Sequence, residues 1–560
     1  MLHKIFVLSL LVLGLRADDF VCPKDKITIT DGTTGAIPKG ATSMVKFAKN
    51  TNCTFTFTVP KGFAIRMETT AYYEASPGDY VKFDYFYVSA DADVKDVQWA
   101  VGPELNVSFL SVSGNLTFFA QYSFVDLTGY TQVMKKTGDY FNTTLEPNKY
   151  YTVEGATGDT VTWNLAMRNT GFYDHTINEL MIFDGPDIVN SEYLGRITEF
   201  MHDFDFHSDK NYLTFLNLYG SASDSFVLPN DFSKIKPLPQ YNVIVVDPVK
   251  ETTGYMDNVL NGADSYYTFI CDGCDHFYIE ELNFSDTHND SAAYLEVQGM
   301  SPSQGLPPIL NYTSSPYTNS SLPQLIPSPM ATFHVHNSIV EFFVKADLQS
   351  DYLAVKNEQK RSVYSPKLWN PNAEQKFDYT FSDATKVYNF SINLESVRLL
   401  EDGDELDVQV GSVDGLTTLD KKYTKTAMAK VPISGVGRYL HLKYSGSQNS
   451  EVILNFEEID PTAPVNNPSS TAPTGTTQTP PSTTTVKSMP TSATGTSMSS
   501  TAPTNTPVSS TAPPSTSAPT SMSTSTQASR LSTSTFQTTT SGASALTGFL
   551  LLVLSSITLF

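Results

Sequence analysis

Cys53-Thr54-Phe55-Thr56-Phe57-Thr58-Val59-Pro60-Lys61-Gly62-Phe63-Ala64-Ile65 alternates apolar and polar residues as far as Val59, breaks at Pro60-Lys61-Gly62 and resumes at Phe63. Alternation puts every second side chain on one face, the pattern of a strand covered on one side, and Pro with Gly marks a turn. The stretch predicts strand, turn, strand. It also recurs. Tyr267-Thr268-Phe269 and Tyr379-Thr380-Phe381 open matching stretches, and a Phe-x-Ile follows the first and second of the three at the same spacing, at Phe63 to Ile65 and Phe277 to Ile279.

Further strands repeat around it. Leu116-Thr117-Phe118-Phe119, Leu213-Thr214-Phe215-Leu216, Ile339-Val340-Glu341-Phe342 and Leu440-His441-Leu442-Lys443 read as one recurring strand, each followed by a small polar turn and a closing strand. Tyr212-Leu213 leading to Gly220-Ser221 and Tyr439-Leu440 leading to Gly446-Ser447 show it best. A middle strand recurs as Asp84-Tyr85-Phe86-Tyr87-Val88, Glu179-Leu180-Met181-Ile182, Tyr294-Leu295-Glu296-Val297 and Glu405-Leu406-Asp407-Val408. Repeats at about 100 residues, rich in Tyr, Phe, Val and Thr, predict an all-β chain of four tandem sandwiches. Their expected bounds are 18–136, 137–239, 240–357 and 358–460.

Composition agrees with several cores and excludes a single compact domain. The chain has 560 residues, of which 40% are hydrophobic and 12% aromatic, enough for about three to five domains. Only 17% are charged, well below the roughly 25% of an average soluble domain. All 58 acidic residues lie between Asp18 and Asp460, while Lys4, Arg16, Lys487 and Arg530 fall outside. That segment is therefore more acidic than the whole-chain formal charge of −22 indicates, and nucleic acid is excluded as a natural partner.

Both ends carry address signals. Residues 1–17 set His3 and Lys4 before an apolar run from Ile5 to Leu15 and end on Ala17, the pattern of a secretory signal peptide. Residues 461–541 are Ser, Thr, Pro and Ala with hardly a charge, and Thr-Ala-Pro recurs at Thr462, Thr471, Thr501 and Thr511. Such a segment cannot bury a core and reads as a disordered, O-glycosylated, mucin-like stalk. Residues 542–560 end in the apolar run Leu546 to Phe560 with no basic residue after it, which fits a GPI-attachment propeptide with Ser541 as the attachment site and Gly542 as its neighbouring alternative. The run is also shorter than the roughly 20 apolar residues of a membrane-spanning helix. The expected location is the outer face of the plasma membrane, held there by a lipid anchor.

In an oxidising compartment Cys22, Cys53, Cys271 and Cys274 predict two disulfides, from three pairings of which proximity favours Cys22 with Cys53 and Cys271 with Cys274. A C-x-x-C pair can also be a redox centre or half of a zinc site, but neither a thioredoxin-like context nor further ligands at suitable spacing accompany it. N-glycosylation sequons stand at Asn52, Asn106, Asn115, Asn142, Asn283, Asn289, Asn311, Asn319 and Asn389, and none lies between Tyr150 and Pro237. That bare stretch is expected to face another domain or a partner.

Catalytic motifs are missing. The sequence holds no H-E-x-x-H, G-x-S-x-G or phosphate-binding glycine loop, so an enzyme is not expected and no catalytic residue is assigned. His202-Asp203-Phe204-Asp205-Phe206-His207 and His334-Val335-His336 are the nearest metal candidates, the second with both imidazoles on one face of a strand. Without an assured third ligand they read as solvated loop and strand histidines, and no metal site is assigned. Acidic turns at Asp79 to Asp84, Glu179 to Asp187 and Glu401 to Asp407 could hold Ca²⁺ through hard oxygen ligands, or be solvated loops of an acidic protein.

Cys22, the Ile37-Pro38-x-Gly40 turn, the opening stretch from Cys53 to Ile65 and Thr69-Thr70 together resemble the CUB-like domain of secreted nematode proteins. Glu179-Leu180-x-Ile182-x-Asp184-Gly185 is similar to the acidic strand of ordinary CUB domains. The resemblance implies tandem jelly-roll β-sandwiches and a non-enzymatic extracellular role. It also implies binding of microbial or host surface ligands, glycan or protein, in innate immune defence. Ordinary CUB domains often coordinate Ca²⁺, but this chain departs from their four-cysteine pattern and has Tyr294 where the third copy would carry an acid. The alternative is a structural glycocalyx component that forms a charged, hydrated barrier.

Overall fold

The computed structural model describes residues 20–462 apart from 75–77, 85, 169–172, 202, 204, 258–263, 286–292, 316–317, 413 and 427–431. The expected signal peptide, the expected stalk beyond Thr462 and the expected attachment signal with Ser541 lie outside these residues, as do Asn289 and His202. The described residues belong to one compact unit. Strands dominate, interrupted by three short helices, Phe232–Ile235, Gln349–Leu353 and Pro366–Trp369, and by 3-10 turns. Among the described residues no helix is long and apolar enough to cross a membrane.

Among the described residues eight sheets pair into four β-sandwiches. In the first, one sheet runs Thr51–Thr58, Glu104–Ser111, Tyr80–Phe83, Phe86–Tyr87. The other runs Thr34–Ile37, Thr117–Asp126, Phe63–Tyr72, Asp96–Ala100. The chain passes back and forth between the two layers, as in a jelly roll, and its last two strands enter the middle of their sheets. Gly62, at φ +79°, makes the turn between Thr51–Thr58 and Phe63–Tyr72, a left-handed conformation that suits glycine.

The same order recurs three times. In the second sandwich Lys149–Glu154, Tyr212–Asn217, Leu180–Asp184 and Glu192–Arg196 face Phe141–Asn142, Ser225–Asp231 and Val161–Met167. In the third, Ser265–Cys271, Met330–His336, Tyr294–Gly299 and Pro308–Thr313 face Thr252–Met256, Ile339–Lys345, Phe277–Ser285 and Gln324–Ile326. In the fourth, Lys376–Ser382, Tyr439–Ser445, Glu405–Gly411 and Thr417–Tyr423 face Gln359–Tyr364, Glu451–Ile459, Tyr388–Arg398 and Ile433–Gly437. Each copy also receives one parallel partner from the chain ahead of it. Thr131–Lys136 pairs with Lys149–Glu154 and Tyr241–Val246 with Ser265–Cys271, while single bridges join Ile27 to Phe57 and Ala354 to Ser382.

Three expectations are corrected. Thr131–Lys136 is hydrogen-bonded to the second sandwich, so the bound at 136 falls one strand late. The recurring strand expected from Leu116, Leu213, Ile339 and Leu440 merges two positions: it is the last strand in the first and third sandwiches and the last but one in the second and fourth. Both positions are central, so they share a similar apolar pattern. The middle strand of the first copy is Tyr80–Phe83, and Phe86–Tyr87 forms the edge beside it.

Each sandwich encloses its own apolar core, and neighbouring sandwiches share more. Met181 and Phe183 of the second pack on Ala64 and Val101 of the first. On the other side Phe226 and Leu228 pack on Val245 and Ile270 of the third. Strands Leu180–Asp184 and Ser225–Asp231 are consequently buried almost throughout, because each is covered on both faces. Arg196, also buried, donates to Asn178 O at 2.6 Å and to Trp99 O at 2.7 Å, and its guanidinium lies 4.8 Å from the Phe86 ring centre. The second sandwich, bare of sequons from Tyr150 to Pro237, thus meets a domain on either side.

The third and fourth sandwiches exchange side chains. Trp369, fully buried, belongs to the core of the third, while Tyr278 and Leu325 of the third belong to the core of the fourth. A Cβ on Gly299 would overlap the Trp369 carbonyl, so the helix Pro366–Trp369 sits directly on that strand. Helix Gln349–Leu353 supplies Tyr352 to the fourth core although it precedes the expected bound at 357. Trp369→Ala is expected to cost about 3–5 kcal/mol and to lower the melting temperatures of both sandwiches together, read as one shifted calorimetric transition.

Candidate functional site

The acidic turns converge on one structural position. In three sandwiches the residue just before the middle strand is an acid, Asp79, Glu179 or Asp404, and its carboxylate faces the turn between the last two strands. Asp79 accepts from Val112 N at 2.5 Å, from Ser113 N at 2.8 Å and from the Ser113 hydroxyl. Asp404 accepts from Glu401 N and Ser447 N, both at 2.8 Å, from Leu400 N at 3.1 Å and from the Ser450 hydroxyl. Glu179 accepts from the Ser221 hydroxyl at 3.2 Å, beside Asp174, which takes the hydroxyls of Ser223 at 2.6 Å and Ser225 at 2.7 Å. In the third sandwich only Asn337 and Ser338 separate the last two strands. There is no loop to brace, and the residue before the middle strand is Ala293.

These carboxylates act as struts. Burial raises the Asp404 pKa, but the Ser450 hydroxyl and the amides of Glu401, Ser447 and Leu400 outweigh it and leave it lowered. Burial likewise acts upward on Asp174, yet the hydroxyls of Ser223, Thr176 and Ser225 bring it down to about 2. Glu179 has one hydroxyl partner and a buried Oε2 without a hydrogen bond, so burial dominates and its pKa rises to about 6. A Ca²⁺ ion at Asp79 or Asp404 would have to displace N–H donors already aimed at the oxygens. The calcium expectation is therefore turned aside at these two turns by the protein's own hydrogen bonds.

A different group assembles on the third sandwich. His334 and His336 project from the same outer face of Met330–His336, whose neighbours are Ser265–Cys271 on one side and Tyr294–Gly299 on the other. Asp264, one residue ahead of the first neighbour, brings Oδ1 to 3.2 Å from His334 Nε2 and into contact with His336 Nδ1. Glu296, opposite His334 in register, places Oε2 3.4 Å from His334 Nδ1. Tyr266 stacks on His334 at 4.4 Å and 3°, and Tyr294 stacks on His336 at 4.7 Å and 20°. The histidine side chains are only 17% and 29% exposed, which corrects the solvated reading. Among the described residues this is the one group of three potential metal ligands. Asp264 lies 70 positions from His334 in the sequence, where no local motif could show it. His207 is elsewhere, its ring 4.2 Å from that of Phe232 at a 32° tilt and its Nδ1 on Ser208 O.

The remaining expected sites are dispersed. Cys22 is bonded to Cys53, tying the chain's start to the strand Thr51–Thr58, and Cys271 to Cys274 across a turn whose Gly273 has φ +80°. Asn52, Asn106, Asn115, Asn311 and Asn319 are exposed; Asn142, Asn283 and Asn389 are half-buried. Asn142 has both amide atoms engaged, with Ser223 O and Thr144 N. The turns Val59–Phe63 and Asp184–Ser191 border a cleft of about 780 Å³ between the first and second sandwiches, with Lys61, Asp187 and Lys210 on its rim.

Two outcomes test the struts. Asp404→Ala removes the carboxylate from the buried Ser450 hydroxyl and the part-buried N–H groups of Glu401 and Ser447 and is expected to destabilise the fourth sandwich by about 1–3 kcal/mol in chemical denaturation. Because folding raises the Glu179 pKa from 4.5 to about 6, its charged form opposes folding above pH 6, and the penalty fades as pH falls from 6 to 4.5. Glu179→Gln is therefore expected to raise the melting temperature at pH 7, and the gain over the parent should vanish by pH 4.5.

Comparison with known proteins bears on the first sandwich. No curated protein matches the chain. Among solved structures, the CUB1-EGF-CUB2 domains of human MASP-1/3 are similar at 14% identity and a TM-score of 0.15, over 35% of this chain and 98% of that one. The same domains of rat MASP-1 are similar at 10% identity and a TM-score of 0.17, over 57% and 99%. The triple jelly-roll turret protein of an archaeal virus follows at 9% identity and a TM-score of 0.13, over 74% and 82%. Residues 17–128, which contain the strands of the first sandwich, match the family of the CUB-like domain.

Proposed function

We propose that this chain is a non-enzymatic, GPI-anchored surface protein whose CUB-like sandwiches bind microbial or host surface ligands, glycan or protein, in innate immune defence. The observation that carries the reading is the CUB-like match over residues 17–128 together with the recurrence of the same strand order in the three sandwiches that follow. Repetition of one binding-type module gives several similar loop ends on one compact body, which favours multivalent capture of a repetitive surface. Two disulfides suit an extracellular chain.

The cleft between the first two sandwiches is the proposed contact region. Its rim mixes Lys61 and Lys210 with Asp187 and Asn190 over an apolar floor that includes Phe183 and Val101, a mixture suited to a sugar or peptide rather than to a strongly basic ligand. The stalk carries the sandwiches away from a lipid anchor joined at Ser541.

Purified full chain should bind a subset of bacterial surfaces or arrayed glycans, and Lys61→Glu with Lys210→Glu should weaken that binding without lowering the melting temperature. Uniformly negative binding would overturn the recognition role. Phosphatidylinositol-specific phospholipase C is expected to release the protein from cells; retention after treatment would overturn the anchor.

A further inference from the structure

The cluster on the third sandwich has no part in the proposed ligand cleft, yet its chemistry is specific. Two imidazoles and a carboxylate are a ligand set for a transition-series divalent cation, whereas Ca²⁺ and Mg²⁺ favour oxygen alone. The ligand atoms of Asp264, His334 and His336 all lie within 4.8 Å of one another. For a tetrahedral zinc with bonds near 2.0–2.1 Å, neighbouring ligand atoms stand about 3.3 Å apart. His334 Nε2 and Asp264 Oδ1 are 3.2 Å apart, while His336 Nδ1 is in hydrogen-bonding contact with the same oxygen and would move apart from it on ligation.

The surroundings hold both imidazoles facing Asp264. His334 Nε2 is buried and faces Asp264 Oδ1 at 3.2 Å, the side from which a metal would be bound. Its other nitrogen, Nδ1, is directed at Glu296, and a carboxylate there holds the proton on Nδ1 and leaves Nε2 free to ligate. Glu296 also accepts from Asn311 Nδ2 at 3.4 Å. His336 donates from Nδ1 to the same Asp264 oxygen while its Nε2 accepts from Asn337 Nδ2 at 3.0 Å; a metal would replace the Nδ1 proton, with the Asn337 amide turned to accept from Nε2. The stacked rings of Tyr266 and Tyr294 leave neither imidazole free to turn away.

We infer that the third sandwich holds a divalent transition-metal site, selective for zinc over calcium, in which His334 Nε2, His336 Nδ1 and Asp264 Oδ1 are the ligands and Glu296 orients His334. Three ligands leave a fourth position for water. The site clasps the end of a central strand to the strand beside it, so metal binding stabilises the third sandwich.

The test uses full chain stripped with a chelator. Titration calorimetry with zinc chloride should give one site per chain, Co²⁺ should produce the intense visible absorption of a tetrahedral complex, and zinc should raise the melting temperature while calcium chloride does not. His336→Ala and His334→Gln, each checked for an unchanged melting temperature without metal, should weaken binding by more than the roughly 10–100-fold that a lost outer partner costs. Glu296→Gln should fall within that smaller range. Absence of binding, or binding undiminished in both histidine variants, overturns the site. Equal response to calcium overturns its selectivity.

Discussion

In every sandwich the two strands that come last in the chain occupy the middle of the two sheets, as Glu104–Ser111 and Thr117–Asp126 do in the first. Earlier strands flank gaps that only these two fill. Until they enter, strands such as Thr51–Thr58 and Phe63–Tyr72 lack their main hydrogen-bonded neighbours. The core therefore forms from contacts distant in sequence, the kind of topology that folds slowly. The carboxylate struts follow from the same constraint. Asp79, Glu179 and Asp404 stand where the middle strand starts and brace the turn linking the two inserted strands, and the copy whose turn shrinks to Asn337-Ser338 dispenses with the acid.

The four copies are not beads on a string. The second is covered on both faces, by the first through Met181 and Phe183 and by the third through Phe226 and Leu228. The fourth lends Trp369 to the third and borrows Tyr278 and Leu325. Buried polar groups secure these junctions. Arg196 reaches the Trp99 carbonyl, Gln359 reaches the Leu322 carbonyl at 2.7 Å, and the Tyr140 hydroxyl reaches the Cys271 carbonyl at 3.0 Å. A buried donor without its partner is costly, so such contacts specify one arrangement of neighbours beyond what apolar burial alone would do. Inside the fourth sandwich the ion pair of Arg361 and Glu458, almost fully buried, does the same for its strands.

Conservation of architecture frees the surface for divergence. The outer face of the first sheet carries exposed sequons at Asn52 and Asn106 in the first sandwich, while the equivalent face in the third carries Tyr266, His334, His336 and Glu296. These outward positions do not enter the cores, so their chemistry changes from copy to copy without disturbing the fold.

Period-two alternation around Pro60-Lys61-Gly62 determined an all-β chain, because one-sided burial is a local property that each strand records in its own residues. The four-fold repeat was legible for the same reason. Which recurring segment occupies which position was not legible. Central strands of either sheet have equivalent environments, so Leu116 and Leu213 share a pattern while sitting in different layers. Nor could the sequence alone place Thr131–Lys136 with the second sandwich, since a parallel pairing depends on a partner and not on its own composition. Only the tertiary structure decided that Asp264 meets His334 and His336, because ligand geometry is set by strand register across 70 residues of intervening chain.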